Sequence, residues 1–287
     1  MAERIAVVYK QSQLQVVSAA TRRLTAAQRR LLHRRLQPSH EAHQRTLEHV
    51  VRALRRAGLP HLMLGRSGLA AMPAASLVVT VGGDGTFLRA AHFLRATPIL
   101  GVNSDPRHSR GAFCSCDGET FAATLERWRH GRWPVVPLHR LAVEINGRRV
   151  REPVLNDLLL THGNPAATAR YVLQAGRRME EQLSSGLWVA TAAGSTGAAM
   201  SAGGRVLPLR SRRIQFVVRE PYPKQRVRYR LTKGLLPPGA MLSVTALVPG
   251  MAIYLDGPSV RYPLAFGDRC VVRDARLPLQ AVGVRRR

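Results

Sequence analysis

The chain has 287 residues, enough for two domains or one large one, and 45% of them are hydrophobic, which excludes disorder by composition. Its formal charge of +27 creates a field that attracts polyanions such as nucleotides, polyphosphate or nucleic acid. The bases are almost all arginine, with lysine only at Lys10, Lys224 and Lys233. They are scattered, with clusters at Arg22-Arg23, Arg29-Arg30, Arg34-Arg35 and Arg285-Arg286-Arg287, and no aromatic residues interleave them as in single-strand binders. A compositional bias on solvated faces is therefore expected, with no specific nucleic-acid partner. No apolar run is long enough to span a bilayer. The N-terminus lacks the apolar core of a secretory signal, so a cytoplasmic location without membrane attachment is expected. Cys114, Cys116 and Cys270 make neither a disulfide framework nor a zinc spacing.

In chain order, Ile5 to Tyr9 reads as a first strand. A basic amphipathic helix is predicted over 18–36, broken by Pro38, and a second helix over Glu41 to Ala57. Gly65 to Ala75 reads as a loop. Leu77 to Val81 forms a β-branched strand, followed by Gly82-Gly83-Asp84-Gly85-Thr86 and a helix to about Ala96. Pro98 to Asn103 supplies another strand, and Glu119 to His130 another helix. Strands alternating with helices predict a doubly wound parallel sheet, whose ligands bind beyond the carboxyl ends of the strands. Both Asp84 and Asn103 fall there.

From Trp133 the period changes. Leu138 to Ile145 alternates, and Asn146-Gly147 signals a type I′ hairpin. Short strands follow at Val154–Leu160, Tyr171–Gln174, Leu187–Thr191, Ile214–Arg219, Met241–Val248 and Met251–Leu255, predicting a β sandwich interrupted by a small-residue helix over Ser195–Ser201. Val271 to Val284 reads as a last strand that returns to the first domain. The expected division is an α/β domain over 1–115, a β-rich domain over 116–270, and a returning segment over 271–287.

Three stretches carry chemistry. Glycines at 82, 83 and 85 let backbone N–H groups approach a ligand, and the following helix points its positive end at the turn, which favours phosphate. Asp84 has either of two readings: the N-cap of that helix, or a base beside a bound phosphate, able to take a hydroxyl proton or hold Mg²⁺. The pair Asn156-Asp157 lies within an otherwise apolar strand and reads either as an edge-strand pair facing water or as polar groups awaiting a ligand. Ser184 to Gly204 joins a strand to a Gly-Ser-Thr helix start, where N–H groups and hydroxyls can hold an anion or a ribose.

Together and in this order, Gly82 to Thr86, Asn156-Asp157, and Gly194-Ser195-Thr196 running into Ser201 to Gly204 resemble the hallmarks of the NAD kinase family. The glycine turn alone is shared with diacylglycerol and sphingosine kinases. Gly101 to Pro106, Ser184-Ser185-Gly186 and Arg219-Glu220-Pro221 look most like the mitochondrial-type branch. The resemblance implies phosphorylation of the adenosine-ribose 2′-hydroxyl of NAD, with ATP or polyphosphate as donor, Mg²⁺ as cofactor, and a homodimer or homotetramer. It implies that Asp84 is the catalytic base and also contacts NAD. Gly82, Gly83, Gly85, Thr86 and Asn103 would hold the donor, and Asn156, Asp157, Thr191, Ser195 and Thr196 the NAD. Departures at Ser184-Ser185, Ala192-Ala193 and Ala198 leave the choice between NAD and NADH open. The alternatives are a diverged lipid or sphingoid kinase, and a catalytically weakened basic nucleotide- or nucleic-acid-binding protein.

Overall fold

The computed structural model describes residues 4–20, 24–222 and 228–285; Arg22, Arg23, Lys224, Arg286 and Arg287 lie outside the described residues. The first elements are β1 (Ile5–Tyr9), α1 (Gln13–Ala20), α2 (Ala26–Arg56), β2 (His61–Gly65), β3 (Leu77–Gly82), α3 (Asp84–Ala91), β4 (Ile99–Asn103), β5 (Cys114–Asp117), α4 (Phe121–Arg129) and β6 (Val135–Leu138). Next come β7 (Leu141–Ile145), β8 (Arg148–Arg149), β9 (Asp157–His162), β10 (Ala169–Ala175), β11 (Arg178–Ser184), β12 (Gly186–Ala190) and α5 (Ala198–Ser201). The chain ends with β13 (Ile214–Arg219), β14 (Lys233–Leu236), β15 (Met241–Ala246), β16 (Met251–Leu255), β17 (Val260–Leu264), β18 (Arg269–Asp274) and β19 (Leu279–Val282). The chain divides into two compact units, one of residues 1–136 and 280–287, the other of residues 137–279.

The first unit is α/β. Its sheet runs β2-β1-β3-β4-β19-β6, with β5 paired to β4, and the β2, β1, β3, β4 and β5 pairings are parallel. β3 and β4 are buried along their whole length, as expected for a parallel sheet covered on both faces. The core gathers Ile5, Val7, Leu77, Val79 and Val102 from the sheet with Val50, Leu54, Phe121 and Leu125 from helices. Gly283 (φ 69°) lets the last residues enter, because a Cβ there would lie 1.8 Å from the Trp133 indole nitrogen.

Two helical expectations need correction. The predicted break at Pro38 is absent: α2 runs through it as one helix of 31 residues, begun by a capping box between Thr25 and Gln28. Proline removes only the bond to the Arg34 carbonyl, and that half of the helix is exposed, so water can meet the freed oxygen. The buried stripe His43, Thr46, Val50 and Leu54 begins after the proline and docks the second half. The helix after the glycine turn stops at Ala91, short of Ala96, and closes through turns at His92 and Phe93.

The second unit is a sandwich of two antiparallel six-stranded sheets, β11-β10-β15-β18-β7-β8 and β14-β13-β12-β9-β16-β17. Leu141, Val143, Tyr171 and Val244 from one sheet share a core with Leu158, Leu160, Leu187 and Ile253 from the other. Asn146 (φ 50°) and Gly147 (φ 77°) form the two-residue turn between Ile145 and Arg148, as the hairpin signal predicts. The predicted last strand over 271–284 is two strands, β18 in the sandwich and β19 in the parallel sheet. The three cysteines are buried and none is in a disulfide.

Candidate functional site

The glycine turn lies where the parallel sheet hands over to α3. Gly83 is the residue that caps this helix, with no side-chain bond, and Asp84 already sits in its first turn. The N-cap reading of Asp84 is thus overturned. Its Oδ1 accepts the backbone N–H of Phe113 at 2.9 Å, while Phe87 of α3 stacks on the Phe113 ring at 5.0 Å and 8°. This stack fixes the donor that orients the carboxylate. Oδ2 has no partner among the described residues.

The glycines are dictated by close approach. A Cβ on Gly82 would lie 2.3 Å from Thr86 Oγ1, and one on Gly83 would lie 2.6 Å from Ser109 Oγ. Thr86 is 1% exposed, and its hydroxyl has no hydrogen-bond partner among the described residues. A buried hydroxyl without a partner is costly unless a ligand supplies one. Asn103 differs. Its amide donates to the Ser109 carbonyl at 2.9 Å and accepts the Asp105 N–H at 3.1 Å, so both ends hold the loop after β4.

In the second unit, Asn156 immediately precedes β9 and Asp157 opens it, and β9 is the fourth strand of its six-stranded sheet. The edge-pair reading therefore fails: the pair sits inside a sheet. Sequence reasoning missed the residue that organises them. Asp256, at φ 50°, follows β16 and turns its carboxylate onto this segment. It accepts the N–H groups of Leu155 at 2.8 Å, Asn156 at 2.6 Å and Asp157 at 3.3 Å. Three backbone donors on one carboxylate make a strong, charge-assisted clasp. The only sequence signal is Asp256-Gly257 after a strand, which reads as a turn.

Burial, together with the charge of Asp256, pushes the Asp157 carboxyl up to about 7. The Asn156 amide oxygen is buried without a hydrogen-bond partner among the described residues. The small-residue stretch wraps this pair. Thr191 N–H donates to the Asn156 carbonyl at 2.9 Å, and Thr191 Oγ1 donates to the Leu155 carbonyl. Gly194 admits no side chain, since its Cβ would lie 2.2 Å from the Asn156 oxygen, and Gly197 faces Asp157 Oδ2. Ser195 Oγ donates to Ala192 and accepts from Leu207 N–H at 2.9 Å, so it shapes the turn from within. Thr196 is half-buried at the end of a 3₁₀ turn (Ala193–Thr196). The expected continuous helix over 195–201 is this turn followed by one-turn α5, because Gly197 leaves helical geometry (φ −96°, ψ −136°).

No cluster of three or more acidic, histidine or cysteine side chains that could hold a metal exists among the described residues. Mg²⁺ commonly takes one or two carboxylates and completes its shell with phosphates and water. The Asp84 Oδ2, beside the glycine turn, fits that mode.

The family model described as the ATP-NAD kinase N-terminal domain matches residues 69–132. The chain is 36% identical over 214 residues to a probable NADH kinase of Oryza sativa, covering 67% of this chain and 66% of that protein. It is 30% identical over 224 residues to an NADH kinase of Arabidopsis thaliana, covering 67% and 68%. An NAD kinase of Archaeoglobus fulgidus solved with ATP superposes with a TM-score of 0.69 at 21% identity, over 99% of this chain and 94% of that one. A yeast NADH kinase solved with NADH gives 0.71 at 16% identity, over 98% and 84%. With relatives at this identity over two thirds of the chain, the chain belongs to the NAD kinase family.

Proposed function

We propose that this protein transfers a phosphoryl group to the 2′-hydroxyl of the adenosine ribose of NAD or NADH, giving NADP or NADPH, with ATP or polyphosphate as donor. The observation that carries the reading is Asp84: a carboxylate anchored through one oxygen and open at the other, within a turn of glycines at the carboxyl end of a parallel strand. Phosphoryl transfer is mostly positioning and charge neutralisation, with one proton to remove. Gly82, Gly83, Gly85 and the Thr86 hydroxyl hold the donor phosphates, Asp84 accepts the ribose hydroxyl proton, and Asn156 and Asp157 hold the dinucleotide. Thr191, Ser195 and Thr196 complete its cleft, the first two by shaping the backbone. Asn103 acts by fixing the loop after β4. Mg²⁺, bound through the donor phosphates and water beside Asp84, would supply charge neutralisation at the transferred phosphoryl group.

No helix among the described residues is long and apolar enough to cross a membrane. A cytoplasmic location and a homodimer or homotetramer belong to the same proposal, and mass photometry reads the second directly. The activity is tested by incubating the purified protein with NAD or NADH, Mg²⁺ and either ATP or polyphosphate, then measuring NADP(H) by enzymatic cycling. Accumulation with at least one pair is expected; none with all four would overturn the reading.

A further inference from the structure

The register of the parallel sheet lines up residues that the proposed mechanism leaves unused. Tyr9 pairs with Gly65 on one side and Val81 on the other, and Gly82 pairs with Asn103. One step further along each strand, the carboxyl edge therefore reads Arg66, Lys10, Gly82 across β2, β1 and β3. Lys10 N–H still donates to the Val81 carbonyl at 3.3 Å, so this row remains part of the sheet.

The Arg66 turn and the Lys10 backbone are both held in place. Arg66 opens a 3₁₀ turn (Arg66–Gly68), and that turn is tied to the helix behind the glycines because Arg89 of α3 donates to the Leu69 carbonyl at 2.7 Å. The Arg66 guanidinium lies 3.5 Å from where a Cβ on Gly85 would be. The Lys10 carbonyl accepts a bond from His43 Nε2 at 2.9 Å, which pins its backbone to α2. Neither side chain ion-pairs with a carboxylate among the described residues. Burial lowers the Lys10 pKa most; the Asp105 carboxylate raises it, and Arg66 lowers it by less than that. Two cations at the edge of a turn that also holds the buried, unpartnered Thr86 hydroxyl suit an anion, even with the Asp105 carboxylate near Lys10.

We infer that Arg66 and Lys10 grip the phosphate chain of the phosphoryl donor, extending the glycine turn into a cationic cradle. This rests on the kinase reading above and adds to it the residues that hold the donor. The shared chemistry is a linear phosphate chain, whether a nucleoside triphosphate or inorganic polyphosphate supplies it.

The test titrates tripolyphosphate and ATP separately, by calorimetry at fixed ionic strength, into the full-length protein and its variants Arg66→Ala, Lys10→Met and Arg66→Lys. Arg148→Ala, an exposed arginine on β8, controls for lost net charge. Each neutralising variant is expected to weaken binding of both ligands by about tenfold or more, with Arg66→Lys recovering part and the control staying near wild type. In turnover, the donor KM rises while the KM for NAD(H) stays put. Weakening for ATP but not tripolyphosphate would mean that the cations serve the nucleoside, and would overturn the inference. So would wild-type binding in both neutralising variants, or an equal loss in the control. If Arg66→Ala does not fold, Arg66→Gln takes its place. A wild-type protein that forms no NADP(H) but loses tripolyphosphate binding in these variants would sink the kinase reading and leave the cradle standing.

Discussion

The Asp256 carboxylate accepts the Asn156 backbone N–H at 2.6 Å, across 100 residues of sequence. It also takes the N–H groups of Leu155 and Asp157, so one acidic side chain fixes the peptide that presents both residues. Asp256→Asn retains a single acceptor oxygen and no charge. It is expected to raise the KM for NAD(H) by about tenfold, and Asp256→Ala to cost about 2–3 kcal/mol of stability, the range for lost charged hydrogen bonds. Steady-state kinetics and denaturant melts check this. An unchanged KM in a folded Asp256→Asn protein would show that the clasp does not set the site.

Asp157 gives a pH signature. Its carboxyl is pushed from the ordinary 3.8 up to about 7, first by burial and then by Asp256. The folded state therefore keeps a proton that the unfolded chain releases. The associated stability is complete below about pH 4 and is lost as pH rises through 7. Asp157→Asn is neutral at every pH. Its Tm should match wild type near pH 4 and exceed it increasingly toward pH 8, read by thermal melts across that range. A pH-independent difference would contradict the assignment.

Asn156 carries a buried amide oxygen with no partner among the described residues. If NAD(H) supplies the partner, Asn156→Ala should raise the KM for NAD(H) by about 1–3 kcal/mol in binding terms and leave the donor KM nearly unchanged. Equal KM values for NAD(H) in a folded variant would return the residue to a purely architectural role.

The parallel sheet and the sandwich were legible because their interior strands carry strong apolar patterns: Leu77 to Val81, Ile214 to Arg219 and Met251 to Leu255 lie where the sequence places strands. The strands it concealed are edges. β2, β11, β14 and β17 each end a sheet, and β5 pairs only with β4. Edge strands are held by backbone bonds to one neighbour and need no alternating apolar face. Thus β11 is Arg-Met-Glu-Glu-Gln-Leu-Ser, and β17 tolerates Pro263. The Asp84 turn was readable because three glycines around one carboxylate are a local signal. Asp256 was not, because its role depends on a strand pairing that brings it to residues 155–157, and no local pattern encodes that. Pro38 misled for the opposite reason: a strong local breaker gave way to capping at Thr25 and docking from His43 onward.

Whether Asp84 is the base in 2′-phosphorylation is decided by Asp84→Asn. The amide oxygen of Asn can still accept the Phe113 N–H, so the fold and the Tm should be preserved. Proton-accepting capacity and charge are lost together. With saturating NAD(H), donor and Mg²⁺, the kcat for NADP(H) formation is expected to fall by about 10²–10⁴-fold. A folded Asp84→Asn protein that makes NADP(H) at close to the wild-type rate would contradict it.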